Sequence, residues 1–237
     1  MIKPTTRKRI ASIDMLRGLV MILMALDHVR DYFSADAFLF EPNDLTQTSG
    51  AIFWTRFITH YCAPVFVFLA GTSAFFVGQR RDKNSLAIWL LKRGFWLIVV
   101  EFTIIKFAWF FKLDYSVLLF MVIWILGVCM IFLAGFIYLP RKFTIALCLL
   151  GVFGHNALDS IQPTGDIVSF IWSFLHVEAM MEYGSTIYYV AYPMIPWIFV
   201  MPLGYYLGEL YLPKVEAIVR RKRLMQWGLG MVLLFLI

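Results

Sequence analysis

Ala11-Ser12-Ile13-Asp14-Met15-Leu16-Arg17-Gly18-Leu19-Val20-Met21-Ile22-Leu23-Met24-Ala25-Leu26-Asp27-His28-Val29-Arg30-Asp31-Tyr32 is long enough to cross a bilayer as a helix, which asks for about 20 mostly apolar residues. Its polar residues are not scattered. Asp14, Arg17, Met21, Met24, His28 and Asp31 follow one another in steps of three and four, so they share one helix face. Leu16, Leu19, Val20, Ile22 and Leu23 take the other faces. A charge at the centre of a bilayer costs roughly 2.5–3.5 kcal/mol on insertion scales, so such a stripe turns toward protein or a water-filled cavity rather than lipid. The helix is therefore expected to be one member of a bundle.

Comparable apolar stretches follow at 57–78, 86–109, 116–139, 143–159, 187–208 and 224–237. Residues 166–177 are also apolar but too few to span, and read as an interfacial or re-entrant piece. The expected fold class is all-α: a polytopic transmembrane helix bundle of about seven spans, in one domain over 1–237. Composition agrees. The chain is 61% hydrophobic, 18% aromatic and only 15% charged, too little charge to solvate a water-soluble domain. The last stretch ends in Met231-Val232-Leu233-Leu234-Phe235-Leu236-Ile237 with no polar residue. A carboxylate in mid-membrane is costly, so the expectation is a chain incomplete at its C-terminus.

Lysine and arginine sort by loop. Lys3, Arg7, Lys8 and Arg9 precede the first span. Arg80, Arg81 and Lys83 follow the second, with Lys92 and Arg93 just beyond. Arg141 and Lys142 follow the fourth, and Lys214, Arg220, Arg221, Lys222 and Arg223 follow the sixth. If the chain alternates, these lie on one side, and the other side receives only Arg30, Arg56 and Lys112. The asymmetry places the N-terminus in the cytoplasm. The net charge of +6 is accounted for by this rule, and no basic face with stacking aromatics points to nucleic acid. Cys62, Cys129 and Cys148 form no CxxC site or disulfide framework, and the N-terminus lacks a small-residue cleavage site and reads as an anchor.

His28, His60, His155 and His176 all fall on the outer side of this map. His28 sits near Asp27, Arg30 and Asp31. A carboxylate beside an imidazole fixes its tautomer and raises its basicity, the apparatus of a general base; the plainer alternative is an interfacial histidine held at a helix end. His60 shares a face with Arg56, with packing or anchoring as its alternative. The loop of about residues 33–56 is long for a bundle connection. It contains Glu41-Pro42-Asn43-Asp44 and Thr46-Gln47-Thr48-Ser49, hydrogen-bonding groups suited to a polyhydroxyl ligand, or else a solvated loop with a Ser/Thr helix cap. Asn43, Asp44 and Arg56 are the candidate substrate-binding residues. Glu101 and Lys106 lie within the third span and need partners. His155, Asp159, His176 and Glu178 include donor types for Zn²⁺, but no HxxxH or HxxE spacing supports a site, and no metal is expected. Tyr192-Pro193-Met194-Ile195-Pro196-Trp197, with Pro202, introduces kinks into the sixth span.

The string from Ala11 to Met24 resembles the opening of the heparan-α-glucosaminide N-acetyltransferase-like membrane proteins, a family of transmembrane acyltransferases. Pro64-Val65-Phe66-Val67-Phe68-Leu69-Ala70-Gly71-Thr72-Ser73 and Tyr192-Pro193-Met194-Ile195-Pro196-Trp197 are similar to the same family. The likeness is strong over 11–78, weaker at 187–208 and loose between. It implies an acyl-CoA donor, typically acetyl-CoA, supplied from the cytoplasm. The acyl group passes to an amine or hydroxyl of a sugar or glycan on the other side, with an outer histidine as base or transient acyl carrier. Asp14 and Arg17 match the family's motif and are implied to hold the donor entrance. The chain departs from the animal members, where a neutral amide stands at the position of Asp27 and the reactive histidine comes later; Asp36-Ala37-Phe38-Leu39-Phe40 has none. His28, with Asp27 and Asp31, is the substitute, and His60 the second choice. The implied setting is a bacterial inner membrane, with lipid, acyl-CoA and a glycan acceptor as partners, no nucleic acid, and room for a homo-oligomer. Two other readings stay open: a small-molecule or proton-coupled transporter, motivated by Glu101, Lys106 and the proline-rich sixth span, and a non-catalytic membrane scaffold.

Overall fold

The structure, a computed structural model, describes residues 10–34, 39, 40, 42 and 44–235. It is mostly helical. The residues form two compact units divided between Leu69 and Ala70.

In the first unit, α1 (Ala11–Phe33) covers the stretch that the polar stripe marks out. α2 (Gly50–Thr59) starts at Ser49, whose side chain accepts the Ile52 N–H, the serine cap that sequence allows for. A break at His60–Tyr61 leads into α3 (Cys62–Gly78), which crosses into the second unit. Gly50–Gly78 is the helical stretch, among the described residues, long and apolar enough to cross a membrane by length and composition. Val20 and Cys62 meet where the Cys62 thiol donates to the Val20 carbonyl at 3.6 Å, and both are buried.

In the second unit, α4 (Lys83–Val100) is capped by Asp82, whose carboxylate accepts from Ser85. It runs through a π-helical turn at Glu101–Ile105 into α5 (Lys106–Phe110), which ends at Phe111 with φ 53°. β1 (Val117–Phe120) then leads to α6 (Val122–Phe136). α7 (Arg141–Gly154) closes with a 3-10 turn at His155–Leu158, and α8 (Asp166–Leu175) is the short apolar piece expected at 166–177. β2 (Ala179–Tyr183) and β3 (Thr186–Val190) precede α9 (Trp197–Leu207) and α10 (Ala217–Phe235).

Each of the expected spans contains a helix, but two begin differently. The stretches 116–139 and 187–208 open as strands, so the fold is not purely α. β3 pairs in parallel with β1 and antiparallel with β2 in the order β1-β3-β2. The reason is local. Thr186-Ile187-Tyr188-Tyr189-Val190 is β-branched and aromatic. Gly184 at φ 65° supplies the positive φ that a two-residue hairpin turn needs. An apolar run of this kind looks alike for helix and strand.

α4 and α6 pack at their glycines. A Cβ on Gly94 would lie 2.6 Å from the Gly127 carbonyl oxygen, and one on Gly127 equally close to that of Gly94. Small residues let backbones approach this closely. Around this contact Leu90, Ile125, Cys129 and Leu133 are fully buried. Outward-facing positions are apolar too: Ile22, Phe95, Leu150, Ile167 and Met231 are all exposed, a surface that water does not favour.

Candidate functional site

Asp27 is the hub of the first unit. Its Oδ1 lies 2.8 Å from Nη1 of Arg30 and accepts the Thr59 hydroxyl at 2.7 Å, while Oδ2 lies 3.1 Å from Nη1 of Arg56. Arg30 also reaches Asp31 at 3.1 Å. The Asp27 side chain is only 16% exposed, so its charge is matched by two guanidinium groups and a hydroxyl. Three sequence candidates are therefore joined: Arg30 links Asp27 to Asp31, and Arg56 reaches Asp27 directly. Thr59 belongs to the same group and has no sequence signal beyond its place one turn after Arg56.

His28 and His60 are exposed. The carboxylates beside His28 in sequence, Asp27 and Asp31, are engaged by Arg30, and Asp27 also by Arg56. Arg17 donates through Nη2 to the Leu69 carbonyl at 3.0 Å, tying α1 to α3. Asp14 is exposed in the first turn of α1. Asp44 accepts from the Thr46 hydroxyl at 2.6 Å, the Thr46 N–H at 2.9 Å and the Gln47 amide at 2.8 Å. These bonds, the Thr46 hydroxyl foremost, pull its carboxyl below the usual range. They make it the first residue of an Asx turn. Asn43 lies outside the described residues.

The second unit assembles a group that sequence spacing does not reveal. His176, at the C-terminal end of α8, places Nε2 2.8 Å from Oδ1 of Asp159, with side chains 3% and 61% exposed. The His155 ring centroid is 6.1 Å away and that of Trp172 is 5.4 Å away. His155 Nδ1 faces the Val152 carbonyl at 2.8 Å, so its proton sits there, because a carbonyl only accepts. The segment carrying Tyr192-Pro193-Met194-Ile195-Pro196-Trp197 holds this end of α8: the N–H groups of Met194 and Ile195 donate to the Phe174 and Leu175 carbonyls, each at 2.8 Å. These are carbonyls a helix end leaves without intrahelical partners. The motif read as a kink is thus also a clamp beside His176.

Glu101 and Lys106, the motive for a transport reading, are buried and each engaged by main chain. Glu101 Oε2 accepts the Trp124 N–H at 2.7 Å, in the first turn of α6, and Lys106 Nζ donates to the Val117 carbonyl beneath the Phe110 ring. No side chain of Met121 caps α6; Glu101 supplies a cap from another helix. Among the described residues, no three His, Cys, Asp or Glu side chains gather as they would around a metal.

These clusters stand on a chain whose family can be named. The sequence model of the family described as "Heparan-alpha-glucosaminide N-acetyltransferase, catalytic" matches residues 9–236, and the chain belongs to this acetyltransferase family. No curated protein and no solved structure matches it.

Proposed function

We propose that the protein is an integral-membrane acyltransferase that moves an acetyl or other acyl group from cytoplasmic acyl-CoA to an amine or hydroxyl of an extracytoplasmic sugar or glycan. The family match over residues 9–236 carries the reading. The apolar outer surface and the lysine and arginine distribution support a bundle of about seven spans with its N-terminus in the cytoplasm, in a bacterial inner membrane. In the reaction, the acceptor's nitrogen or oxygen bonds to the acyl carbon, the carbon–sulfur bond breaks, and the acceptor's proton leaves through an imidazole to the CoA thiolate. General base catalysis of this kind contributes typically about 10²–10⁴-fold. Asp14 and Arg17 serve the donor, His28 and His60 are the imidazoles on the helices of the first unit, and Asp27, Asp31, Arg56, Asn43 and Asp44 frame the acceptor.

The test is titration of the purified full-length protein with acetyl-CoA, followed by transfer assays on His28→Ala and His60→Ala. Saturable binding and a loss of transfer in at least one variant are expected. Absence of binding together with unchanged behaviour of both variants would sink the proposal.

A further inference from the structure

α4 and α6 run antiparallel: Gly94 meets Gly127, while Asn84, near the start of α4, bonds to Tyr138, just past the end of α6. At the glycines the backbones touch. Toward Asn84 the helices leave a groove of about 650 Å³. Ala87 and Ala134 lie buried at its floor, and Ile88 and Leu91 stand exposed along it. Gly135 lines it too, and a Cβ added there would meet nothing within 4 Å. Asn84 to Leu91 covers about 10 Å of helix. The mouth is polar and positive. Tyr138 donates its hydroxyl to Oδ1 of Asn84 at 2.7 Å, a bond that keeps the Asn84 N–H₂ group as a donor. Lys83 Nζ stands 5.5 Å from the Tyr138 ring centre, and Arg80 and Arg81 come shortly before it in the chain. All three cations are exposed. The neighbouring acid is occupied, since Asp82 accepts the Ser85 N–H at 2.9 Å and the Ser85 hydroxyl at 2.5 Å. Arg141 is not counted with them, because it pairs with Glu209 at 2.6 Å.

We propose that this groove binds one anionic phospholipid, with an acyl chain lying over Ala134 and Gly135 and the phosphate meeting Lys83 and the Asn84 amide. This rests on the membrane part of the reading above, not on its chemistry, and it lies wholly within the second unit. The groove differs along its length as a lipid does: apolar between the helices, cationic where α4 begins. An apolar recess open to the bilayer gains dispersion contacts when a chain fills it. Each lysine or arginine near a membrane surface attracts anionic lipid by roughly a fivefold change in binding. Basic recesses between transmembrane helices on the cytoplasmic side take such headgroups, and the lysine and arginine distribution supports placing this end of α4 there. A zwitterionic lipid gains less, since its own cation opposes Lys83. A second copy of the chain would bring the same cations rather than their complement.

The experiment is native mass spectrometry of the full-length protein released from detergent micelles, titrated with phosphatidylglycerol or phosphatidylcholine, with acetyl-CoA titrated separately. Wild type should retain one phosphatidylglycerol, at least about fivefold more tightly than phosphatidylcholine. Lys83→Gln should weaken phosphatidylglycerol about fivefold and leave phosphatidylcholine unchanged. Gly135→Leu puts a side chain into the open space, so it should abolish lipid retention while the melting temperature in detergent stays at or above wild type. Lys83 is exposed, so Lys83→Gln carries the test should Gly135→Leu not fold. Equal retention of the two lipids, or undiminished phosphatidylglycerol in a folded Gly135→Leu or in Lys83→Gln, would overturn the inference. So would a lipid-free dimer that Gly135→Leu converts to monomer, because the groove would then be a contact between copies. Selective lipid retention without acetyl-CoA binding would support this site and remove the acyltransferase reading; acetyl-CoA binding without lipid selectivity would remove this site alone.

Discussion

Asp27 and Glu101 are both carboxylates on helices of a mostly apolar chain, and they are satisfied in opposite ways. Asp27 is matched by side chains: two arginines and a threonine hydroxyl converge on it, and solvent still reaches the group. Glu101 is buried and matched by main chain, with the amide of Trp124 bonded to it and those of Met121 and Ile123 also turned toward it. The first arrangement can rearrange, because long side chains have other rotamers and water nearby. The second cannot, since the amides at a helix start have fixed positions and no alternative partner. A cluster of the first kind suits a site that must admit a ligand; one of the second kind suits a joint between helices.

The sharpest way to break this contrast is Glu101→Leu. It strands the amides at the start of α6, and unfolding in detergent should become easier by about 3 kcal/mol or more; a melting temperature equal to wild type would mean that Glu101 is not a cap. Asp27→Ala should cost less, about 2 kcal/mol, because Arg30 can turn to Asp31 and solvent reaches the remaining arginine. It should also abolish transfer activity, whereas Glu101→Gln should retain activity in whatever fraction folds. Removing Arg56 in the Asp27→Ala background, read as a double-mutant cycle, should give a coupling of about 1 kcal/mol; additivity would show that the two charges ignore each other.

The smallest effect concerns Asp114, an exposed carboxylate before β1. Lys112 at 2.6 Å and the Ser116 hydroxyl at 2.5 Å pull its carboxyl down to about 2. A carboxyl lowered by folding stabilises the folded state above its unfolded value near 3.9 and loses that contribution as pH falls through the folded value. The melting difference between wild type and Asp114→Asn should therefore be constant above pH 5 and close between about pH 4 and pH 2. A difference that widens on acidification would contradict the assignment.

Much of the helical layout was legible, because apolar length and the spacing of Asp14, Arg17, His28 and Asp31 are properties of one segment. α1 ends one residue beyond the stretch read from sequence. The sheet was not legible. Val117–Phe120 and Thr186–Val190 sit inside apolar runs where the period cannot separate strand from helix, and their pairing joins residues far apart in the chain. The candidate site divides the same way. Asp27 and Arg56 were each singled out, yet nothing in either segment says that they meet. His176 and Asp159 were weighed as donor types for a metal, not as a pair bonded to each other. Their contact depends on how α8 is held after α7, which spacing does not encode.

The bond from Arg17 to the Leu69 carbonyl carries a mechanical consequence. A guanidinium reaching the main chain of α3 works as a locating pin: for α1 to slide or roll along that neighbour, a charged group must leave a backbone acceptor. A displacement of α1 that carries the Asp27 end with it therefore pulls on the first turns of α3, up to Leu69, through this bond.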